Sequence, residues 1–240
     1  MFTFVKKIML TQLNQYRTFI LLFLIVSIAV FFGIYSLQTP EKMLPIYSPR
    51  DINTELVDST VQHIGSDHKI ADFSFTNQNR KIITQKEYEN SIYVADFFFT
   101  TCPTICPKMT NNMIWLQNQL KKYPEVKLLS FSVTPDIDTP AVLKKYAQEK
   151  GVDDTRWNLV TGDKKEIYYL ARKSYLAVKT GKPEELYDMV HTENFVLVDK
   201  NKRIRGFYDG TNLDQPSDDR KTKNMQQLLS DIIWLTENQK

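Results

Sequence analysis

The stretch Phe19 to Leu37 (FILLFLIVSIAVFFGIYSL) carries no charged residue, and the uncharged run extends from Thr18 to Pro40. At about 1.5 Å of rise per residue, a helix of that length spans roughly the 30 Å hydrocarbon core of a bilayer. It is apolar on every face, so a globular fold with one apolar stripe per helix has no use for it. The chain is therefore expected to divide into this helix and everything after it. A cleaved signal peptide has a shorter apolar run followed by a small-residue site. Here the run ends in Tyr35-Ser36-Leu37-Gln38, with no A-x-A pattern and no neighbouring cysteine to accept lipid. The expectation is a short cytoplasmic segment over residues 1–18 and an uncleaved transmembrane anchor over 19–37.

Charge supports that division. Lys6, Lys7 and Arg17 precede the span and no Asp or Glu occurs before Glu41, which favours a cytoplasmic N-terminus. Removing those three from 31 basic residues leaves 28, equal to the 28 acidic ones, so the part after residue 40 has no formal net charge. A neutral domain carries no electrostatic footprint for nucleic acid.

Residues 38–69 contain Pro45 and Pro49 with scattered charge and weak periodicity, which reads as a linker. A domain over 70–240 follows. Ala71 to Phe75 and Lys81 to Thr84 flank Asn77-Gln78-Asn79-Arg80, a hairpin signature. Ile92 to Phe99 is an almost continuous apolar run, as in a strand covered on both faces, although Asp96 interrupts it. Met109, Met113, Leu116, Leu120 and Tyr123 recur at helical spacing, predicting a helix over 107–123 whose methionines are core contacts. Val126 to Val133 is a second strand, and Thr139-Pro140 caps a helix that ends near Gly151. Trp157 to Val160 is a short strand, and Asp163 with Glu166 opens a helix toward Arg172. Phe195 to Val198 and Ile204 to Tyr208 pair across a turn, and a terminal helix is predicted from about Ser217 to Leu235. Strands alternating with helices give an α/β fold with a mixed sheet.

The only two cysteines lie together in Thr101-Cys102-Pro103-Thr104-Ile105-Cys106-Pro107, between the most apolar strand and a helix. A disulfide across so short a loop removes little chain entropy, so stability is a poor reason for the pair. Pro107 suits the first position of a helix, which predicts Cys106 as the N-cap, with its thiol acidified by the positive end of the helix dipole. Thiol exchange of the thioredoxin type uses C-x-x-C. Three residues intervene here, a loop wide enough for two sulfurs to diverge around an ion and still meet as a redox-active disulfide. Asp136 and Asp138, beside Thr139-Pro140, are expected to serve the loop and cap rather than acid–base chemistry.

A two-sulfur metal site needs another ligand, and the chain has three histidines. His63 and His68 fall in the expected linker as solvated polar residues. His191 precedes the strand from Phe195, at a sheet end where ligands gather in α/β folds. On the residues alone an ordinary loop histidine remains the simpler account of it. Two thiolates and one imidazole form a soft, low-coordinate set that suits copper, with zinc a chemical alternative.

Taken in order, Phe97 to Pro107, the Thr134-Pro135-Asp136-Ile137-Asp138-Thr139-Pro140 stretch, and a histidine ahead of Phe195-Val196-Leu197-Val198-Asp199 make the chain resemble the Sco (SenC) family of copper chaperones. The resemblance covers roughly residues 68–235. It implies a thioredoxin-like fold with an N-terminal hairpin and added elements, behind one transmembrane helix. It also implies one copper ion, Cu(I) or Cu(II), per domain, held by Cys102, Cys106 and His191. The implied partner is cytochrome c oxidase subunit II, whose dinuclear copper site receives copper or has its cysteines reduced during assembly. A copper donor and a thiol reductant are further partners the sequence does not identify. Two positions depart from the family pattern: Thr104 stands where an acidic residue is usual, and Val190 stands where Asp usually precedes the histidine.

Three functions come into consideration: a metallochaperone, an extracytoplasmic thiol-disulfide oxidoreductase or redox sensor using Cys102 and Cys106 without copper delivery, and a thiol peroxidase. The last has no recognisable arginine in the motif to activate peroxide. The expected location is the inner (cytoplasmic) membrane, single-pass, with the C-terminal domain facing the periplasm. The short N-terminal segment favours this over the mitochondrial inner membrane.

Overall fold

The computed structural model describes residues 16–38, 43–52, 60, 61, 63–65, 67–177, 193–215 and 223–239. The chain forms two units, Met1–Met43 and Leu44–Lys240. The described part of the first is one helix, α1 (Arg17–Gln38), without a charged residue after Arg17. It is long and apolar enough to cross a membrane, and its side chains from Phe19 to Tyr35 lie exposed.

The second unit is built on a mixed sheet. Its elements in chain order are β1 (Ser74–Asn77), β2 (Ile82–Thr84), β3 (Tyr93–Phe98), α2 (Cys106–Gln119), β4 (Lys127–Ser132), α3 (Pro140–Lys150), β5 (Trp157–Thr161), α4 (Lys164–Tyr169), β6 (Asn194–Val198), β7 (Ile204–Asp209) and α5 (Met225–Asn238). The seven strands run in the order β2-β1-β5-β4-β3-β6-β7. β3, β4 and β5 are parallel, and antiparallel hairpins close both edges. This is the thioredoxin-like α/β architecture with the extra N-terminal hairpin β1–β2.

Local chemistry explains the boundaries. Asn77 Oδ1 accepts the amides of Asn79 and Lys81, both at 2.9 Å, so its side chain folds the first hairpin turn, where Arg80 takes φ 59°. Thr139 accepts from Val142 N at the start of α3, Pro140 follows it, and Gly151 ends the helix at φ 79°. Asp163 caps α4 through Glu166 N, and the helix then widens into a π-turn over Leu170–Ser174.

β3 is buried at all six positions and lies inside the sheet, with β4 paired on one side and β6 on the other. Phe97 stacks on Phe131 with ring centroids 5.0 Å apart, and Phe73, Phe75 and Tyr175 pack around Phe131. Met109 and Met113 are fully buried, as their helical spacing predicts.

Three sequence expectations change. The terminal helix starts at Met225, not Ser217: Asn224 and Gln227 form a capping box, and Lys223 is still extended against Tyr208. The stretch read as a linker is no free spacer in its described parts. Arg205 donates to the carbonyls of Leu44 (2.6 Å) and Pro45 (3.0 Å), and Tyr47 bridges to Ile204. His68 is buried rather than solvated and donates from Nε2 to the Ser174 carbonyl at 2.7 Å.

Candidate metal and redox site

β3 ends at Phe98, and the loop that follows carries Cys102 and leads into α2, whose first residue is Cys106. The apolar strand brings the chain out of the core at its C-terminal end, and the helix carries it away again, so both thiols sit at one end of the central strand. Cys102 N bonds back to Phe99 O at 3.3 Å, which folds the loop tightly over the strand. Both cysteines are free thiols, and both are buried, at 5% and 3% exposure.

The expected cap geometry differs in register. Ile105 is the N-cap and already lies in the right-handed helical region; Cys106 is the first helical residue and Pro107 the second. The preceding loop is itself a run of bends, so the chain enters the helix already curved, overriding the preference of Pro107 for an extended predecessor.

The electrostatic consequence reverses the expected order of the two thiols. Burial raises the Cys106 thiol to about 12, and the neighbouring Cys102 and Asp96 push in the same direction. Burial also raises Cys102, but the amide and thiol of Cys106 and the amide and hydroxyl of Thr104 outweigh it and bring it down to about 6. Thr104 Oγ1 lies 3.7 Å from Cys102 Sγ. Cys106 therefore holds its proton more tightly than Cys102.

Asp96, unexplained by the sequence, lies within electrostatic reach of Cys106. It is buried, accepts a hydrogen bond from Ser130 Oγ on the adjacent parallel strand, and Ser130 Oγ in turn accepts from Trp157 Nε1 at 2.9 Å. Burial raises its carboxyl to about 7, partly opposed by Ser130. Its spacing gives no clue, because its partner stands 34 residues downstream.

Asp138, expected in the loop and cap before Thr139, stands there fully buried, with its carboxylate turned toward the cysteine loop. It accepts from Thr100 N (3.1 Å), Thr100 Oγ1, Ser132 Oγ (2.6 Å) and Thr134 Oγ1 (3.1 Å). Asp136 is exposed. The signal available in sequence is the pair of hydroxyl residues shortly before Asp138, Ser132 and Thr134; Thr100 stands 38 residues upstream.

His191 lies outside the described residues, and so does Val190. The approach to them on the far side is described. β6 runs antiparallel to β3 with Ala95 opposite Val196, so the first residue of β6 lies beside the end of β3 from which the cysteine loop departs. Asn112 on α2 donates to the Gly210 carbonyl at 2.7 Å, and Gly210 N donates to Glu193 O at 2.7 Å. The cysteine-bearing helix is thereby tied to a residue two positions from His191. Among the described residues no three His, Cys, Asp or Glu side chains converge as a metal site. The two sulfurs alone supply a soft, partly ionised donor pair, suited to a thiophilic ion that takes its remaining ligand from elsewhere.

The sequence model of the SCO1/SenC family matches residues 61–227. A SCO1 protein homolog of Bacillus subtilis (strain 168) is 36% identical over 63% of this chain and 79% of its own length. Among solved structures, BsSco, described as a member of the Sco family of cytochrome c oxidase assembly proteins with a disulfide switch, is 31% identical at TM-score 0.58, covering 71% of this chain and 94% of that one. Bradyrhizobium japonicum ScoI, solved with copper bound, is 25% identical at TM-score 0.53, covering 70% and 99%.

Proposed function

The chain belongs to the SCO1/SenC family, and on that premise we propose that it is a membrane-anchored copper protein of cytochrome c oxidase assembly. Cys102, Cys106 and His191 hold one copper ion and pass it to the dinuclear copper site of oxidase subunit II. Residues 19–37 anchor the chain in the cytoplasmic membrane, residues 1–18 stay on the cytoplasmic side, residues 38–69 lead from the anchor onto the domain, and the domain over 70–240 works in the periplasm.

The observation that carries the reading is the meeting of two approaches at one end of the sheet. The thiol loop leaves β3 there, and β6, which begins three residues after His191, enters beside it and is pinned to α2 through Gly210 and Asn112. Cys102 is ready as a thiolate near neutral pH, whereas Cys106 gives up its proton when the ion replaces it, so loading releases a proton. With two sulfurs and one imidazole the site stays low-coordinate, and an incoming ligand from the recipient can exchange onto the ion.

Copper(I) competition titrations of the reduced full chain in detergent test this, using bicinchoninate as the chromophoric competitor. The expected result is one tight Cu(I) in the wild-type chain and loss of tight binding in Cys102→Ala, Cys106→Ala and His191→Ala. Unchanged affinity in His191→Ala removes that residue from the ligand set.

The unequal thiols favour a second reading, reduction of the recipient's cysteines. The Cys102 thiolate attacks one sulfur of the recipient disulfide and expels the other as a thiolate. Cys106 then loses its proton and attacks Cys102 sulfur, releasing the second recipient thiolate. The recipient gains two electrons and this chain ends as a disulfide, to be reset by a thiol reductant. His191→Ala separates the two readings, since it preserves this exchange and abolishes copper retention.

A further inference from the structure

Asp138 lies outside the thiol pair, yet its carboxylate holds the loop that presents it. It is fully buried, and among the described residues its hydrogen-bond partners are amide and hydroxyl groups with no cation among them. A buried carboxylate is costly unless strong donors satisfy it, so four convergent donors are a built arrangement. Two of them, the amide and hydroxyl of Thr100, belong to the residue two positions before Cys102. The other two come from Ser132, the last residue of β4, and Thr134 just beyond it. Asp138 is itself fixed from behind, because its amide donates to Thr134 O at 2.9 Å and the next residue, Thr139, caps α3. One carboxylate thus joins the departure of the cysteine loop from β3 to the departure of the neighbouring loop from β4.

We propose that Asp138 is the positioning residue for the Cys102–Cys106 pair, holding the loop in the arrangement of the dithiol form through Thr100. This rests on the reading of the pair as a copper and redox site. In this structure the tether is present with both thiols free. Asp138→Asn removes the charge and replaces one of the two acceptor oxygens with an NH2 group, which weakens the hold on Thr100 and with it the preference for that state. The exposed Asp136, in the same loop, makes Asp136→Asn the matched control for the change in charge.

The test is the reduction potential of the pair in the full chain, measured in buffers of reduced and oxidised glutathione by alkylation of the remaining thiols. Asp138→Asn is expected to stabilise the disulfide relative to the dithiol by about tenfold, moving the potential about 30 mV more negative. Asp136→Asn is expected to stay with the wild type. Cu(I) retention against bicinchoninate is expected to weaken about tenfold in Asp138→Asn, as for groups that orient ligands. A potential within a few millivolts of wild type, or an equal shift in Asp136→Asn, overturns the proposal. If Asp138→Asn does not fold, Thr100→Val, which keeps the side-chain shape and removes one donor, decides the matter by the same criteria. A wild-type chain that takes up no Cu(I) contradicts the copper reading and leaves the potential measurement to decide on Asp138 alone.

Discussion

The amide of Gly210 donates to the carbonyl of Glu193 at 2.7 Å, with the Phe195 ring packed against the glycine. A Cβ built at Gly210 would stand 2.8 Å from Phe195 Cε1 and 3.0 Å from Glu193 O, so the backbone approach requires a residue with no side chain. Gly210→Ala is expected to cost about 1–3 kcal/mol in a denaturant titration, the range for overpacking a close contact. Cu(I) affinity should fall with it, because the strand entry beside His191 moves. Wild-type stability and affinity in this variant would contradict the role given to the contact.

The two thiols should react with iodoacetamide at different pH. Modification of Cys102 is expected to reach half its maximal rate near pH 6, with Cys106 protected through pH 9, as read by peptide mass spectrometry of the reduced chain. The Cys102 thiol is lower in the folded chain than in the unfolded one. Its contribution to stability is therefore present above the unfolded value and is lost as pH falls toward 6. Two indistinguishable profiles centred near the ordinary thiol value would refute the asymmetry.

Asp96 gives a pH dependence of opposite sign. Its carboxyl is raised on folding to about 7, so its contribution is fully present below the unfolded value near 3.8 and is lost as pH rises through 7. Stability should fall across that window by up to about 1.4 kcal/mol per pH unit. Asp96→Asn keeps an acceptor for Ser130 and cannot ionise, so it should match wild type at pH 4 and exceed it at pH 8 in urea titrations. Equal stabilities at both pH values would show that Asp96 does not titrate in this range.

Copper and the disulfide should exclude each other, since a sulfur bonded to its neighbour cannot ligate as a thiolate. Oxidised chain is expected to bind little Cu(I) until it is reduced, whereas equal uptake by oxidised and reduced samples would place the ion elsewhere.

Much of the fold is legible in the sequence because its signals are local. The unbroken apolar run of β3, the Thr139-Pro140 start and Gly151 stop of α3, and the Asp163 cap of α4 depend on neighbours within a turn or two. The features that escape depend on distant partners: Asp96 on Ser130, His68 on the Ser174 carbonyl, and the supposed linker on Arg205. The thiol pair is visible as a motif, but the order of its acidities is not. Helix position suggests that Cys106 ionises first, and burial outweighs that effect there while Thr104 and the Cys106 amide favour Cys102. The terminal helix starts later than composition suggests because residues before Asn224 share its polar character, and only the capping box fixes its first turn.

Copper K-edge absorption of the Cu(I)-loaded full chain, compared with the same spectrum of His191→Ala, tests the ligand set most directly. Two sulfur scatterers and one imidazole are expected in the wild-type chain, with the imidazole signature gone from the variant. A sulfur-only shell in the wild type, or an imidazole signature that survives in His191→Ala, would contradict the three-ligand site.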